Sequence, residues 1–208
     1  QSLHSIRFQW HGPERTTNGF SFAQVTSGSV EKIADRFQFT EGPVWHKDGY
    51  LLFSDIPANK IYKWSGSDSV EVFRENSGNS NGLTFDRDGN LLAAEHGNRR
   101  ISITTNEGNI STLVETYEGN QFNSPNDVVI RTDGMIFFTD PPYGLNNREK
   151  ELSFNGIFRY MPNSDEPVLL IDSFDRPNGI EHDSPSGRPD ERDPANTDHQ
   201  HCPMDHRH

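Results

Sequence analysis

Several things are scarce in this sequence. It has a single cysteine, Cys202, so no internal disulfide can form and cysteine usage leaves the compartment open. No apolar window approaches the length of a membrane-spanning helix, and none near Gln1 resembles a signal peptide. Basic residues are outnumbered, with 19 Lys and Arg against 31 Asp and Glu, for a formal net charge of −12. The clustered cations that a phosphate backbone requires are missing, which argues against a nucleic-acid partner. Such a balance fits a soluble protein, whether cytoplasmic, periplasmic or secreted, or one that gathers a cation. Apolar residues make up only 31% of the chain, and the shortage is uneven. From about Phe37 to Ile180 the sequence reads as an ordinary globular protein. Residues 181–208 hold almost no large apolar side chain and are rich in Asp, His, Pro and Arg, as in segments that cannot bury a core.

What is present is a repeat. EGPVWHKDGYLLFSD from Glu41, NGLTFDRDGNLLAAE from Asn81 and NDVVIRTDGMIFFTD from Asn126 can be laid over one another. In each, a polar residue opens the unit, the glycine of an Asp-Gly turn follows eight positions later, and an acid closes a second apolar run fourteen positions later, at Asp55, Glu95 and Asp140. The pattern is that of a β-hairpin. Openings 40 and then 45 residues apart match propeller blades of four strands each. The outer strands are expected at Lys60–Trp64 and Val70–Phe73, at Arg100–Ile103 and Ile110–Val114, and at Gly156–Tyr160 and Val168–Ile171. Between the third hairpin and its outer strands, Tyr143 to Phe154 is a longer loop on the face of the closing acids, where loops of repeat scaffolds often shape a binding site.

A fourth unit opens at Asn178, 52 residues after Asn126, and then loses the pattern: its turn at Ser184–Gly187 comes one residue late, and RPDER stands where a second strand belongs. The organisation expected is therefore an all-β, incomplete propeller of about three blades plus the start of a fourth over residues 31–180. An N-terminal extension (1–30) precedes it, and a disordered or aberrant tail (181–208) follows. Residues His199, His201, Cys202, Asp205, His206 and His208 match no closed zinc-site spacing and read as a histidine-rich end with adventitious affinity. A propeller that cannot close exposes strand edges, so the expectation is a monomer if the ring is complete and an association-prone chain if it is not.

Blade openings sit where the innermost strands begin, so Glu41, Asn81, Asn126 and Asn178 should crowd around one end of a central channel. One carboxylate with neutral amide oxygens suits a hard divalent cation, Ca²⁺ first and Mg²⁺, Mn²⁺ or Zn²⁺ as alternatives. Against this, Asn before Gly is a common turn residue and Glu before Gly-Pro can simply cap a loop. Repetition at equivalent positions favours the ring.

Glu41-Gly-Pro-Val-Trp45, Ser124-Pro-Asn-Asp127, Phe138-Thr-Asp-Pro-Pro-Tyr-Gly144 and Arg176-Pro-Asn-Gly-Ile180, in that order, resemble the senescence marker protein/gluconolactonase (regucalcin-like) family of six-bladed propellers. The resemblance covers about Phe37 to Ile180 and implies metal-dependent hydrolysis of a sugar lactone. It implies Glu41 and Asn178 as metal ligands, and Asn126 as a catalytic residue beside the metal that contacts substrate, at times through the ion. The family's later Asp ligand, in a Pro-Asp-Gly motif, has no counterpart in these residues. Glu95-His-Gly-Asn-Arg-Arg100 resembles a substrate-side loop, in which His96 could donate to the sugar and Arg99 or Arg100 could bind its hydroxyls; the plain alternative is that the Arg pair faces solvent or pairs with Glu95. Asn81 is read with them as substrate-binding, and Tyr143 as a ring that could stack on the sugar or equally pack the loop down. Two other readings stay open: a paraoxonase- or phosphotriesterase-like hydrolase of other esters, and a non-catalytic Ca²⁺-binding propeller fragment.

Overall fold

The structure, a computed structural model, describes residues 31–66 and 69–182. The expected extension at 1–30, the turn at Ser184–Gly187 and the histidine-rich end lie outside the described residues. Three four-stranded antiparallel sheets follow one another along the chain, each with its strands in sequence order. The first holds β1 (Thr40–His46), β2 (Tyr50–Asp55), β3 (Lys60–Trp64) and β4 (Val70–Glu75). The second holds β5 (Ser80–Phe85), β6 (Leu91–Glu95), β7 (Arg100–Thr104) and β8 (Ile110–Val114). A two-stranded hairpin, β9 (Thr116–Tyr117) with β10 (Asn120–Gln121), comes next, and the sequence pattern did not anticipate it. The third sheet holds β11 (Val128–Ile130), β12 (Ile136–Asp140), β13 (Gly156–Tyr160) and β14 (Val168–Ile171). The three repeats are thus three propeller blades, and the outer strands fall where the pattern put them.

Alternation along the strands decides how the blades stack. In β6, Leu91 and Ala93 join Leu52 and Ile61 of the first blade, while Leu92 and Ala94 join Val128, Ile136, Phe138 and Phe158 of the third. The middle blade therefore buries both faces. The rear face of the first blade, with Leu51 and Phe53, is covered by Phe37 and flanked by Ile33 and Ala34. Phe37 meets Phe53 edge-on at 4.9 Å between ring centroids. The far face of the third blade leaves Val168 and Ile171 exposed.

The closing acids are structural. Asp55 Oδ2 and Oδ1 accept the backbone N–H groups of Gln38 and Phe39 at 2.9 and 3.1 Å. Asp140 repeats this, its Oδ2 and Oδ1 accepting from Asn123 and Ser124 at 2.7 and 2.6 Å. In both blades the carboxylate grips the segment just ahead of its own first strand. Glu95 is longer and is used differently: it takes Arg74 at 2.6 Å, Arg100 at 2.8 Å, Asn98 at 2.6 Å and Ser102 at 2.5 Å. Burial alone would raise its carboxyl, but the hydrogen bonds from Arg100, Ser102 and Asn98 and the charge of Arg74 hold it below the usual range.

Neighbouring blades meet through glycines. A Cβ on Gly42 would overlap the Asn81 carbonyl oxygen and stand 2.9 Å from Gly82 Cα. One on Gly82 would overlap the Asp127 side chain and stand 2.6 Å from Asp127 Cα, and Gly82 N–H donates to the Asn126 carbonyl at 2.8 Å. The register of β1 on β2 slips between Glu41 and Val44, and that of β5 on β6 slips between Ser80 and Leu83. A bulge of this kind bends the strand where the opening residue stands. Substituting Gly82→Ala is expected to destabilise the fold by about 3 kcal/mol, since backbone rather than a flexible side chain must yield. Gly108→Ala, at φ +85 with nothing nearby, should cost only about 1 kcal/mol. Urea midpoints of the two variants check the difference.

Candidate active site at the blade openings

The glycine contacts set the openings side by side in chain order. Glu41-Gly42 lies on Asn81-Gly82, and Gly82 lies on Asn126-Asp127. The fourth opening continues the arc: Thr139 Oγ1 donates to the Asn178 carbonyl at 2.7 Å, and Asp127 Oδ2 accepts the Ile180 N–H at 2.9 Å. Asp127 stands where the other openings have glycine, and its second oxygen accepts its neighbour Val128 N–H at 2.9 Å. Burial raises its carboxyl, and those two N–H groups oppose the rise.

Asn81 and Asn126 are buried, whereas the side chains of Glu41 and Asn178 are exposed at the rim. Both buried amides converge on one ring: Nδ2 of Asn81 lies 3.4 Å, and Nδ2 of Asn126 3.3 Å, from Nε2 of His96. Burial, with help from the Arg148 guanidinium, brings the His96 imidazole down to about 4, so it is neutral at pH 7. A neutral ring with its proton on Nδ1 accepts at Nε2, and both amides then turn their oxygens away from it. His96 joins the two asparagines as a partner, a role that the reading of it as a sugar donor did not include.

The long loop closes the site from one side. It begins with a 3-10 turn, Tyr143–Leu145. Gly144 N–H donates to Ser124 Oγ at 2.7 Å, and a Cβ on Gly144 would overlap Cβ of His96. Tyr143 projects from this turn with 44% of its surface exposed, its hydroxyl 3.5 Å from the Arg176 carbonyl.

Arg99, expected from the sequence to bind substrate, turns its side chain away from His96. It is buried, with Nε on the Phe122 carbonyl, Nη1 on Gln121 Oε1 at 3.2 Å and Glu151 Oε1 at 3.0 Å, and Nη2 on the Gln121 carbonyl at 3.3 Å. Its φ of +55 turns the side chain onto the β9–β10 hairpin, and its donors are taken up by the fold. Arg100 pairs with Glu95, the plain alternative weighed from sequence.

A family model described as the SMP-30/Gluconolactonase/LRE-like region matches residues 39–188. The chain belongs to this family. A gluconolactonase of Zymomonas mobilis is 40% identical over an alignment of 174 positions, gaps included, that covers 74% of this chain and 48% of the relative. Among solved structures, an X-ray structure of a presumed gluconolactonase superposes with a TM-score of 0.67 at 32% identity, covering 72% of this chain and 54% of the other. A gluconolactonase from Xanthomonas campestris gives 0.64 at 31%, covering 67% and 50%. The chain thus spans about half the length of these relatives. A virginiamycin B lyase from Staphylococcus aureus, at 17% identity and a TM-score of 0.50, shares the fold alone.

Three residues at the site were not singled out from sequence. Asp127 could have been, because it breaks the glycine of the repeat; Ser124 stands in the quoted motif; Arg148, in a loop without a repeat, carried no signal. Among the described residues no helix is long and apolar enough to cross a membrane, and no group of three or more His, Cys, Asp or Glu converges, so any cation at the openings would depend on amide oxygens.

The depressed His96 fixes a pH dependence. The unfolded chain protonates this ring near pH 6.5 and the folded chain only near 4, so the contribution of His96 to stability is full above 6.5 and is lost as the pH drops through that window. The loss should reach about 3 kcal/mol at most. The difference in urea midpoint between wild type and His96→Gln should shift in favour of His96→Gln when the pH is lowered from 7 to 4.5, which cancels the part common to both proteins.

Proposed function

We propose that this chain takes part in metal-dependent hydrolysis of sugar lactones, with Glu41, Asn126 and Asn178 holding a divalent cation. The observation that carries the reading is the contact of successive blade openings, which sets these residues along one arc with the Asn81 and Asn126 amides turned on a shared neutral imidazole. The donor chemistry supports a hard ion: one carboxylate and amide oxygens, with the imidazole nitrogen already engaged. Ca²⁺ is the first choice, with Zn²⁺, Mg²⁺ and Mn²⁺ as alternatives. When bound, such an ion polarises a lactone carbonyl and lowers the pKa of water beside it.

The chain's own residues orient the substrate. Asn126 fixes the reacting end and Asn81 a neighbouring hydroxyl, and each amide is kept from rotating by His96. Buried neutral, His96 adds no charge that would repel a cation. Tyr143 offers a ring face to the sugar from the loop above. Asp127 accepts two backbone N–H groups and so ties the openings together. The 40% identity to a gluconolactonase favours lactones over aryl esters and organophosphates.

A pH-stat assay with gluconolactone tests this. Hydrolysis should depend on added divalent metal, stop on chelation, and fall ~100-fold in Asn126→Ala and in Glu41→Gln. Calorimetric titration should show Ca²⁺ heat that is lost in Glu41→Gln. A wild-type titration without heat, or turnover of phenyl acetate faster than gluconolactone, would overturn the reading.

A further inference from the structure

Arg148 takes no part in the arc of openings, yet it stands against its wall. The three nitrogens of its guanidinium donate to four backbone carbonyls. On one side are the His96 carbonyl at 2.9 Å and the Gly97 carbonyl at 2.6 Å; on the other are Gly144 at 2.7 Å and Leu145 at 3.2 Å. Two belong to the β6–β7 turn, which follows the second blade's inner hairpin, and two to the loop that follows the third's. No other described contact joins these two loops through so many bonds to one group. A planar fork with five N–H donors can satisfy four carbonyls at once, whereas a lysine ammonium has three donors on a single nitrogen.

The loops so joined are those that enclose His96. Gly144 packs so closely that a Cβ there would stand 2.6 Å from His96 Cγ and 2.5 Å from Ser124 Oγ. His96 in turn is the ring on which the Asn81 and Asn126 amides converge. A shift of the loop would therefore be felt by the imidazole directly and by both amides through it. Tyr143 precedes Gly144 in the same 3-10 turn, so its position follows as well.

We propose that Arg148 is a positioning residue for the candidate site: it braces the Tyr143–Arg148 segment against the His96-Gly97 turn and thereby sets the wall that receives the sugar. The inference rests on the lactone reading for its substrate, and on geometry alone for the brace.

The test uses the full 208-residue chain carrying Arg148→Met, which keeps the length of the stem and removes the donors, and Arg148→Lys, which keeps the charge. Amide hydrogen exchange, resolved by residue, reads the brace; KM and kcat for gluconolactone read the wall. In Arg148→Met, exchange at the Gly144 amide should quicken at least tenfold while the amides of β5, β6 and β7 keep their rates. KM should rise about tenfold with kcat within twofold of wild type. Arg148→Lys should fall between the two. Unchanged exchange at Gly144, a uniform quickening across all three blades, full rescue by lysine, or a loss confined to kcat would each overturn the proposal. Should the wild type fail to hydrolyse gluconolactone, the lactone reading falls, and the exchange rates decide the brace by themselves.

Discussion

A buried carboxylate gripping two backbone N–H groups is the interaction on which the rest depends. Asp55 and Asp140 each close the second strand of a blade and reach back to the two residues that lead to its opening. The first strand of a propeller blade has a sheet partner on only one side, so its leading segment would otherwise end in unpaired donors at a crowded centre. Satisfying both donors with one carboxylate fixes where that segment enters the sheet. The opening residue, two positions further on, inherits the fixed place. Asp140 shows the cost: burial drives its carboxyl up to about 7, and the N–H groups of Asn123 and Ser124, with more distant Arg99 and Lys150, work against that rise.

The middle blade reaches the same end by another route. Glu95 extends one methylene further than an aspartate and lies 2.5 Å from where a Cβ on Gly78 would stand, so glycine is needed there. The carboxylate then binds four side chains, including Arg74 from the preceding blade. It becomes a tie between blades as well as within one, and a buried ion pair of this kind is kept only when its remaining donors and acceptors are filled. The backbone link survives the change: His96 N–H donates to the Asn79 carbonyl much as Ile56 N–H donates to that of Phe39, at 3.3 and 3.1 Å. Equivalent positions in the two blades hold their openings alike although the side chains differ.

Much of this could be read in the sequence because period and function share one cause. A four-strand unit that stacks on its neighbours must repeat its turn glycine, its closing acid and its opening residue. The three segments from Glu41, Asn81 and Asn126 displayed all three, and the strands followed. The purpose of the closing acids was not legible: an Asp at a strand end is equally consistent with chemistry, and only the N–H groups at Gln38–Phe39 and Asn123–Ser124 show otherwise. The contacts of Arg99 were hidden for a related reason. A cation beside a candidate histidine suggests a ligand contact, but its left-handed backbone conformation sends it to the β9–β10 hairpin, an element too short to leave a periodic trace. Arg148 was silent because its partners are main-chain carbonyls, which no residue pattern records.

His96 is where these constraints meet the chemistry. Three sets of contacts surround its ring or backbone: the Asn81 and Asn126 amides at Nε2, Gly144 against Cβ and Cγ, and Arg148 on its carbonyl. Two of them disfavour the protonated ring: the packed glycine excludes water that could solvate the charge, and the guanidinium repels it. Neutrality is therefore a consequence of how the loops close over the openings. It also has a use at an arc offering one exposed carboxylate, Glu41, and amide oxygens. The field of a chain with net charge −12 draws cations toward the molecule as a whole. An imidazolium among the openings would offset much of that attraction over the last few ångströms. Keeping His96 neutral lets it hold two amides in place without opposing the charge that the proposed site has to receive.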